Sequence, residues 1–185
     1  MFAQSKWRRN GWILMCVLVL SICIFSLSYF LEGMPYSFRP DFYPQSSFTF
    51  FLLGHIAGAI VAALSGPLQF WGAFREKYKR VHRMLGYSYL VGVAVAGTCA
   101  LVIAPVSQGG MSAHVGFILL AVFWIACTAM AFFKIYQKDW FAHRQWMIRS
   151  FSLTLAFVSL RLWLPGLLIT TDADFEQVYQ TVAWL

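Results

Sequence analysis

The sequence predicts an all-α, polytopic integral membrane protein with at least five transmembrane helices. Of its 185 residues, 60% are hydrophobic and only 11% are charged, a balance outside the usual range of soluble domains. The apolar residues gather in runs of about 20 or more, which is the length that crosses a hydrocarbon core about 30 Å thick. The basic residues lie mainly in short segments next to these runs, as in proteins oriented by loop charge. We therefore expect one transmembrane domain over residues 1–185.

The apolar runs place the five predicted spans in order along the chain. The first follows Lys6, Arg8 and Arg9 and begins like a signal peptide, but it is too long for one and no small-residue cleavage site follows it. The segment 32–47 carries three prolines among aromatic residues, which predicts a non-helical loop at the membrane interface. The predicted spans cover residues 11–31, 48–72, 82–104, 113–133 and 146–169.

The second span is the most informative of the five. Small residues recur at every fourth position, a spacing that lets another helix backbone, or a flat cofactor, lie close to it. They are Gly54, Gly58, Ala62 and Gly66. His55 lies beside this small-residue strip. A histidine this far inside an apolar span costs free energy unless it is bound or hydrogen-bonded, so its position indicates function.

The loop charges predict the orientation of the chain. Most of the fourteen Lys and Arg lie in the amino terminus and in the second and fourth loops, while the first loop has only Arg39. We therefore expect a cytoplasmic amino terminus, with the carboxyl tail outside. The apolar residues 182–185 resemble the start of a further span, as in a natural chain longer than this one.

Several other functions are not supported by the residues. The net charge of +7 is explained by topology rather than by nucleic-acid binding. The spans contain no Asp or Glu that could start an ion pathway, and the chain has no phosphate-binding glycine loop. The cysteines form no CxxC pair and are expected to be small buried residues. They are Cys16, Cys23, Cys99 and Cys127.

The four histidines fall into two layers. His55 and His114 belong to the outer halves of the second and fourth spans, whereas His82 and His143 stand at the inner ends of the third and fifth. The spacings of 27, 32 and 29 residues each amount to about one membrane crossing plus a turn. Two imidazoles that face each other across a four-helix core can bind a haem iron from both sides. We therefore predict that the second to fifth spans form a four-helix haem-binding bundle, with these histidines as axial ligands.

Arginine side chains complete the predicted site. Arg161 lies inside the fifth span, where an arginine normally faces a partner within the bundle. In one continuous helix it would stand five whole turns beyond His143 and point the same way. It could pair with a haem propionate or with an anionic substrate. On the inner side, Arg149 and Arg83 could do the same. Interfacial or capping roles for the inner histidines and His114, and snorkelling for Arg161, remain as alternatives.

Four segments together resemble a known family. They are LGHIAGAIVAALSGPLQF, KRVHRMLGYSY, AHVGF and HRQWMIRSF, followed by Arg161. As a set they are similar to the bacterial predicted membrane proteins called domain of unknown function 2306, and this resemblance implies a location in the bacterial inner membrane. More distantly, the helix-paired histidines resemble those of cytochrome b-561, a family of transmembrane di-haem electron carriers. That resemblance implies one or two b haems, held by His55 with His114 and by His82 with His143. The spacings here are shorter than in that family.

These observations lead to two alternative functions. The first is a membrane b-type cytochrome that transfers electrons across or within the cytoplasmic membrane, from quinol or a cytoplasmic reductant to a metal ion, an oxidant or a redox partner protein. Its partners would be the lipid bilayer and a quinone or small redox substrate, with a homo-oligomer as a further option and no nucleic acid. The second is a non-redox transporter or assembly subunit that uses the histidines for proton sensing or packing.

Overall fold

The computed structural model describes residues 6–31 and 46–185, and these are helical almost throughout. The predicted loop at 32–47 therefore falls largely outside the described residues. The helices are α1 Lys6–Leu27, α2 Ser46–Gln69, α3 Gly72–Lys77, α4 Lys79–Ile103, α5 Gly110–Tyr136, α6 Trp140–Thr154, α7 Ala156–Thr170 and α8 Phe175–Val182. Single 3-10 turns, Ser28–Phe30 and Ala104–Val106, extend α1 and α4.

The described ranges contain five helical segments long and apolar enough to cross a membrane. These segments are Arg9–Phe30, Phe48–Gln69, Lys79–Val106, Gly110–Tyr136 and Trp140–Thr170. They correspond in order to the five predicted spans, so the predicted fold class is confirmed. Two short helices were not predicted: α3 forms in the second loop and α8 forms in the acidic tail. The fourth and fifth spans also begin earlier than expected, since α5 starts at Gly110 and α6 at Trp140.

The two ends of the helix assembly differ in charge. At one end, which we call the basic end, α1 begins, α3 lies, and α5 turns into α6. Trp12 on α1 donates to the carbonyl of Pro67 near the end of α2, across 3.0 Å. At the other, acidic end, α8 packs on the start of α5, where the Trp184 indole donates to Ser112 Oγ across 3.1 Å. The acidic residues Asp172, Asp174 and Glu176 also belong to this end.

The most extensive helix pairing in the described chain joins α2 and α4. It depends on the small-residue strip, because Gly58 and Ala62 lie directly against the backbone and small side chains of α4. Gly54 faces Cys99, which is also on α4, and Gly66 is covered by the Phe151 ring of α6. The small-residue strip could accommodate another helix or a flat cofactor, and in the structure helices lie along it.

The fifth span is interrupted at Leu155, between α6 and α7. Just before the break, the Thr154 hydroxyl donates to the carbonyl of Ser150 across 3.1 Å, a contact that commonly bends helices. Beyond the break, α7 packs against α1 and α8, whereas α6 packs against α5 and α2. The expected alignment of His143 with Arg161 assumed one continuous helix, and with the interruption at Leu155 it remains a prediction.

Candidate functional site

His55 is held between two helices near the acidic end. Its Nδ1 lies 2.9 Å from the carbonyl oxygen of Ala96 on α4. Since a carbonyl can only accept, Nδ1 carries the proton and Nε2 keeps a free lone pair. The backbone of α4 can come this close because Gly58 has no side chain, and a Cβ there would lie 2.9 Å from the backbone nitrogen of Ala96. The imidazole is therefore fixed in orientation and in tautomer.

Arg161 lies close to His55. It is half-buried on α7, and its charge acts on both His55 and Cys23 of α1. Among the described residues no carboxylate forms an ion pair with it, because the acidic side chains lie at exposed positions near the two ends. Arg161 is thus a cation within an apolar span that has no counter-charge from the described part of the chain. Such a residue normally faces a partner.

His114 is placed differently from His55. It lies in the second turn of α5, and its Nε2 donates to the carbonyl of Ser107 across 2.7 Å. Ser107 belongs to the turn that joins α4 to α5, where Gly109 and Gly110 adopt left-handed φ values of 91° and 64°. The described contacts do not join His114 to His55. The predicted ligand role of this pair remains a prediction.

The structure brings the other two histidines to the same place at the basic end. His143 lies in the first turn of α6, and its Nδ1 donates to the carbonyl of Ala131 on α5 across 2.8 Å. His82 lies in the first turn of α4, close enough to His143 for the two imidazoles to interact electrostatically. Both are half-buried and lie within helices. His143 belongs to α6 because this helix begins at Trp140, before the predicted start of the fifth span at residue 146.

The basic side chains at this end differ in their surroundings, and the role predicted for Arg83 and Arg149 remains a prediction. Arg83 is exposed, and Arg149 is exposed with its guanidinium 4.6 Å from the centre of the Trp146 ring. The arginine whose charge acts on His82 is Arg75 of α3. Sequence reasoning missed it because α3 was expected to be an irregular basic turn. Only the fold of that turn brings Arg75 next to the histidine.

A buried network of hydroxyl groups occupies the middle of the assembly and was not predicted. The Tyr89 hydroxyl on α4 lies 2.6 Å from Ser150 Oγ and 2.8 Å from Thr154 Oγ1, both on α6. From α5, Thr128 bonds to Ser150 at 2.6 Å and the Trp124 indole donates to Thr154 at 2.9 Å. Phe151, Val93, Ala62 and Ala96 pack around it. With α4, α5 and α6 joined in this way, a flat cofactor would have to lie towards one of the two ends.

The donor set limits what kind of metal site could exist. Within the described ranges, no group of three or more His, Cys, Asp or Glu side chains comes together. The four cysteines are free, and three of them are buried. The described part of the chain therefore offers no ready-made cluster for a metal ion bound by three or more protein ligands.

Comparisons with known proteins agree with the membrane fold. Residues 52–185 match the model of a family described as "Predicted membrane protein (DUF2306)". No curated protein matches the chain, and no solved structure matches it. The matched range contains all four histidines, Arg161 and Arg75.

Proposed function

Because the chain belongs to the DUF2306 family of predicted membrane proteins, whose description leaves the activity open, we propose its function from the histidine geometry. The proposed function is that of a membrane b-type cytochrome, which binds one or two b haems and transfers electrons across or within the cytoplasmic membrane. The amino terminus faces the cytoplasm in this proposal, and the acidic end faces outward.

One observation carries the proposal: His55 and His143 lie at opposite ends, and each donates Nδ1–H to a backbone carbonyl of a neighbouring helix. Histidines that bind metals usually make this second hydrogen bond, which fixes the ring and increases the basicity of the other nitrogen. Nε2 of each ring is then available to an iron. A histidine with only a packing role in the core would be more stable if both of its ring nitrogens formed hydrogen bonds.

The partner histidines differ in how directly they fit. His82 is near enough to His143 for the two rings to interact electrostatically, which supports pairing them on one iron. Nε2 of His114 is hydrogen-bonded to the carbonyl of Ser107. Binding of iron through Nε2 would therefore require this hydrogen bond to break. In this proposal the pair at the acidic end is therefore completed only when haem binds.

Arg161 supports the same proposal through its charge. A haem carries two carboxylate propionates, and a guanidinium pairs well with a carboxylate in a weakly polar environment. Arg161 lies close to His55 and has no ion pair with a described residue, so it can provide this counter-charge. Arg75 provides a cation beside His82 at the basic end. Haem would supply the one-electron chemistry, and these side chains would bind and orient it.

The electron donor in this proposal is quinol or a cytoplasmic reductant. The acceptor is an extracytoplasmic metal ion, an oxidant or a partner protein. Neither is needed for the first test, which is an absorption spectrum of the full chain purified in mild detergent from haem-replete cells. Reduction with dithionite should produce the bands of b-type haem, and a pyridine haemochrome assay should give one or two haems per chain. A colourless preparation would contradict the proposal and favour the non-redox alternative, in which the histidines serve packing.

A further inference from the structure

Two buried polar atoms in the described chain have no hydrogen-bond partner, and both lie at the basic end. They are Nε2 of Gln69, the last residue of α2, and Nδ1 of His82, in the first turn of α4. Leaving a buried donor unpaired is unfavourable, because its hydrogen bonds to water are lost and not replaced. Native proteins therefore seldom leave such atoms without a protein, water or ligand partner.

Gln69 and His82 belong to facing stretches of α2 and α4. The amide of Gln69 lies 3.9 Å from the position that a Cβ on Gly86 would occupy. Gly86 stands one helical turn beyond His82, so both residues lie on one face of α4. The Gln69 amide therefore lies against the face of α4 that carries His82.

The charges around this region favour an anionic ligand. Arg75 on α3 acts electrostatically on His82, as does His143. The nearest acidic residue along the chain, Glu76, is exposed and forms no ion pair within the described residues. An amide N–H, an imidazole N–H and a guanidinium are all donors, and together they suit the oxygens of an oxyanion.

The surroundings point to a lipid as the source of that oxyanion. Aromatic rings line the adjoining surface in sequence: Trp12 lies 5.5 Å from Trp71, Trp71 stacks 6.3 Å from Phe74, and Phe74 lies 5.2 Å from Tyr78. Such rings prefer the headgroup level of a bilayer. The exposed Lys77, Lys79 and Arg80 follow directly, as in segments that attract anionic lipids.

We propose that Gln69, Arg75 and His82 form a binding site for the phosphate of an anionic phospholipid from the leaflet at the basic end. Gln69 and His82 donate to the phosphate oxygens, and Arg75 supplies the counter-charge. Haem is not required for this site, because the lipid uses Nδ1 of His82 and leaves Nε2 free. The lipid would nevertheless fix the orientation of that ring.

Lipid binding can be measured on the full chain in detergent, by native mass spectrometry and by the rise in thermal unfolding midpoint as lipid is added. Phosphatidylglycerol should bind and stabilise, whereas phosphatidylcholine at equal concentration should not. Arg75→Gln and Gln69→Leu should each lower the affinity for phosphatidylglycerol about tenfold or more, since each removes a bond to a charged group. Arg75→Lys should retain part of it.

Arg80→Gln is the matched control, since it removes the same charge from an exposed position nearby and should bind like the unaltered protein. Equal weakening by Arg80→Gln would show general attraction to a basic surface and overturn the site. So would unchanged binding in both Arg75→Gln and Gln69→Leu. Inorganic phosphate distinguishes the two sources of phosphate: stabilisation and lipid displacement at millimolar phosphate would overturn the assignment to a lipid. All these measurements can be made on colourless protein, so they are independent of the proposed cytochrome function.

Discussion

Gly58 on α2 and Gly92 on α4 lie backbone against backbone at the point where the two helices cross. A Cβ atom placed on Gly58 would come within 2.7 Å of the Gly92 carbonyl oxygen, and one placed on Gly92 within 2.8 Å of the Gly58 oxygen. Both distances are shorter than van der Waals contact. The crossing orients α2 so that His55 reaches the carbonyl of Ala96.

We therefore expect Gly58→Ala to destabilise the protein by about 1–3 kcal/mol, since the added methyl group forces two backbones apart. The thermal unfolding midpoint in detergent should fall. Gly11→Ala is the matched control, because no atom lies within 4 Å of its added Cβ, and it should leave the midpoint unchanged or raise it slightly. Equal midpoints for the two variants would show that the crossing tolerates a methyl group.

The buried hydroxyl network gives a second prediction. Tyr89→Phe should lower the free energy of unfolding by about 1–3 kcal/mol, because Ser150 and Thr154 lose the partner that joins α6 to α4. Tyr87→Phe removes the same hydroxyl from an exposed position two residues away and should have little effect. If chemical denaturation gave the same loss for both variants, the network would not be a source of stability.

The proposed cytochrome function predicts separable haem sites. His55→Ala should remove the haem at the acidic end and leave at most one haem per chain, whereas His143→Ala should remove the other and spare the first. Haem content per chain by the pyridine haemochrome assay measures both. Full occupancy in His55→Ala, with the protein folded, would rule out this ligand assignment.

The position of Arg161 predicts a change in redox potential. A nearby positive charge favours the reduced form of a haem, since reduction removes one positive charge. Arg161→Gln should therefore lower the midpoint potential of the haem bound through His55 and weaken its retention. Arg149→Gln is the control, since Arg149 is exposed and stacks on Trp146. A potentiometric titration in which both variants match the unaltered protein would contradict a role for Arg161 beside that haem.

The charge asymmetry predicts the topology of the chain. A reporter that is active only in the cytoplasm should be active when it is fused at Gln137, in the turn between α5 and α6, because this turn lies at the basic end. A reporter that is active only outside the cytoplasm should be active when it is fused after Leu185. A cytoplasmic reporter that is active at Leu185 would mean that the number of crossings or the orientation is different.

The sequence alone determined the number and order of the spans. Hydropathy runs and loop charges are local properties that can be read along the chain, and each of the five predicted spans has its helical counterpart. It also indicated His55 and Arg161, because polar groups within an apolar run are visible without a partner.

Tertiary structure decided which residues meet. The small-residue strip was equally suited to a helix and to a flat cofactor, and only folding set α4 and Phe151 against it. Tyr89, Ser150 and Thr154 looked like ordinary residues of apolar helices until packing joined their hydroxyls. Likewise, α3 placed Arg75 beside His82, and the break at Leu155 turned α7 towards α1. Such pairings depend on how helices that are distant in sequence rotate and tilt relative to one another. Hydropathy hardly constrains the rotation of a helix in a bilayer, because every face of the helix is apolar.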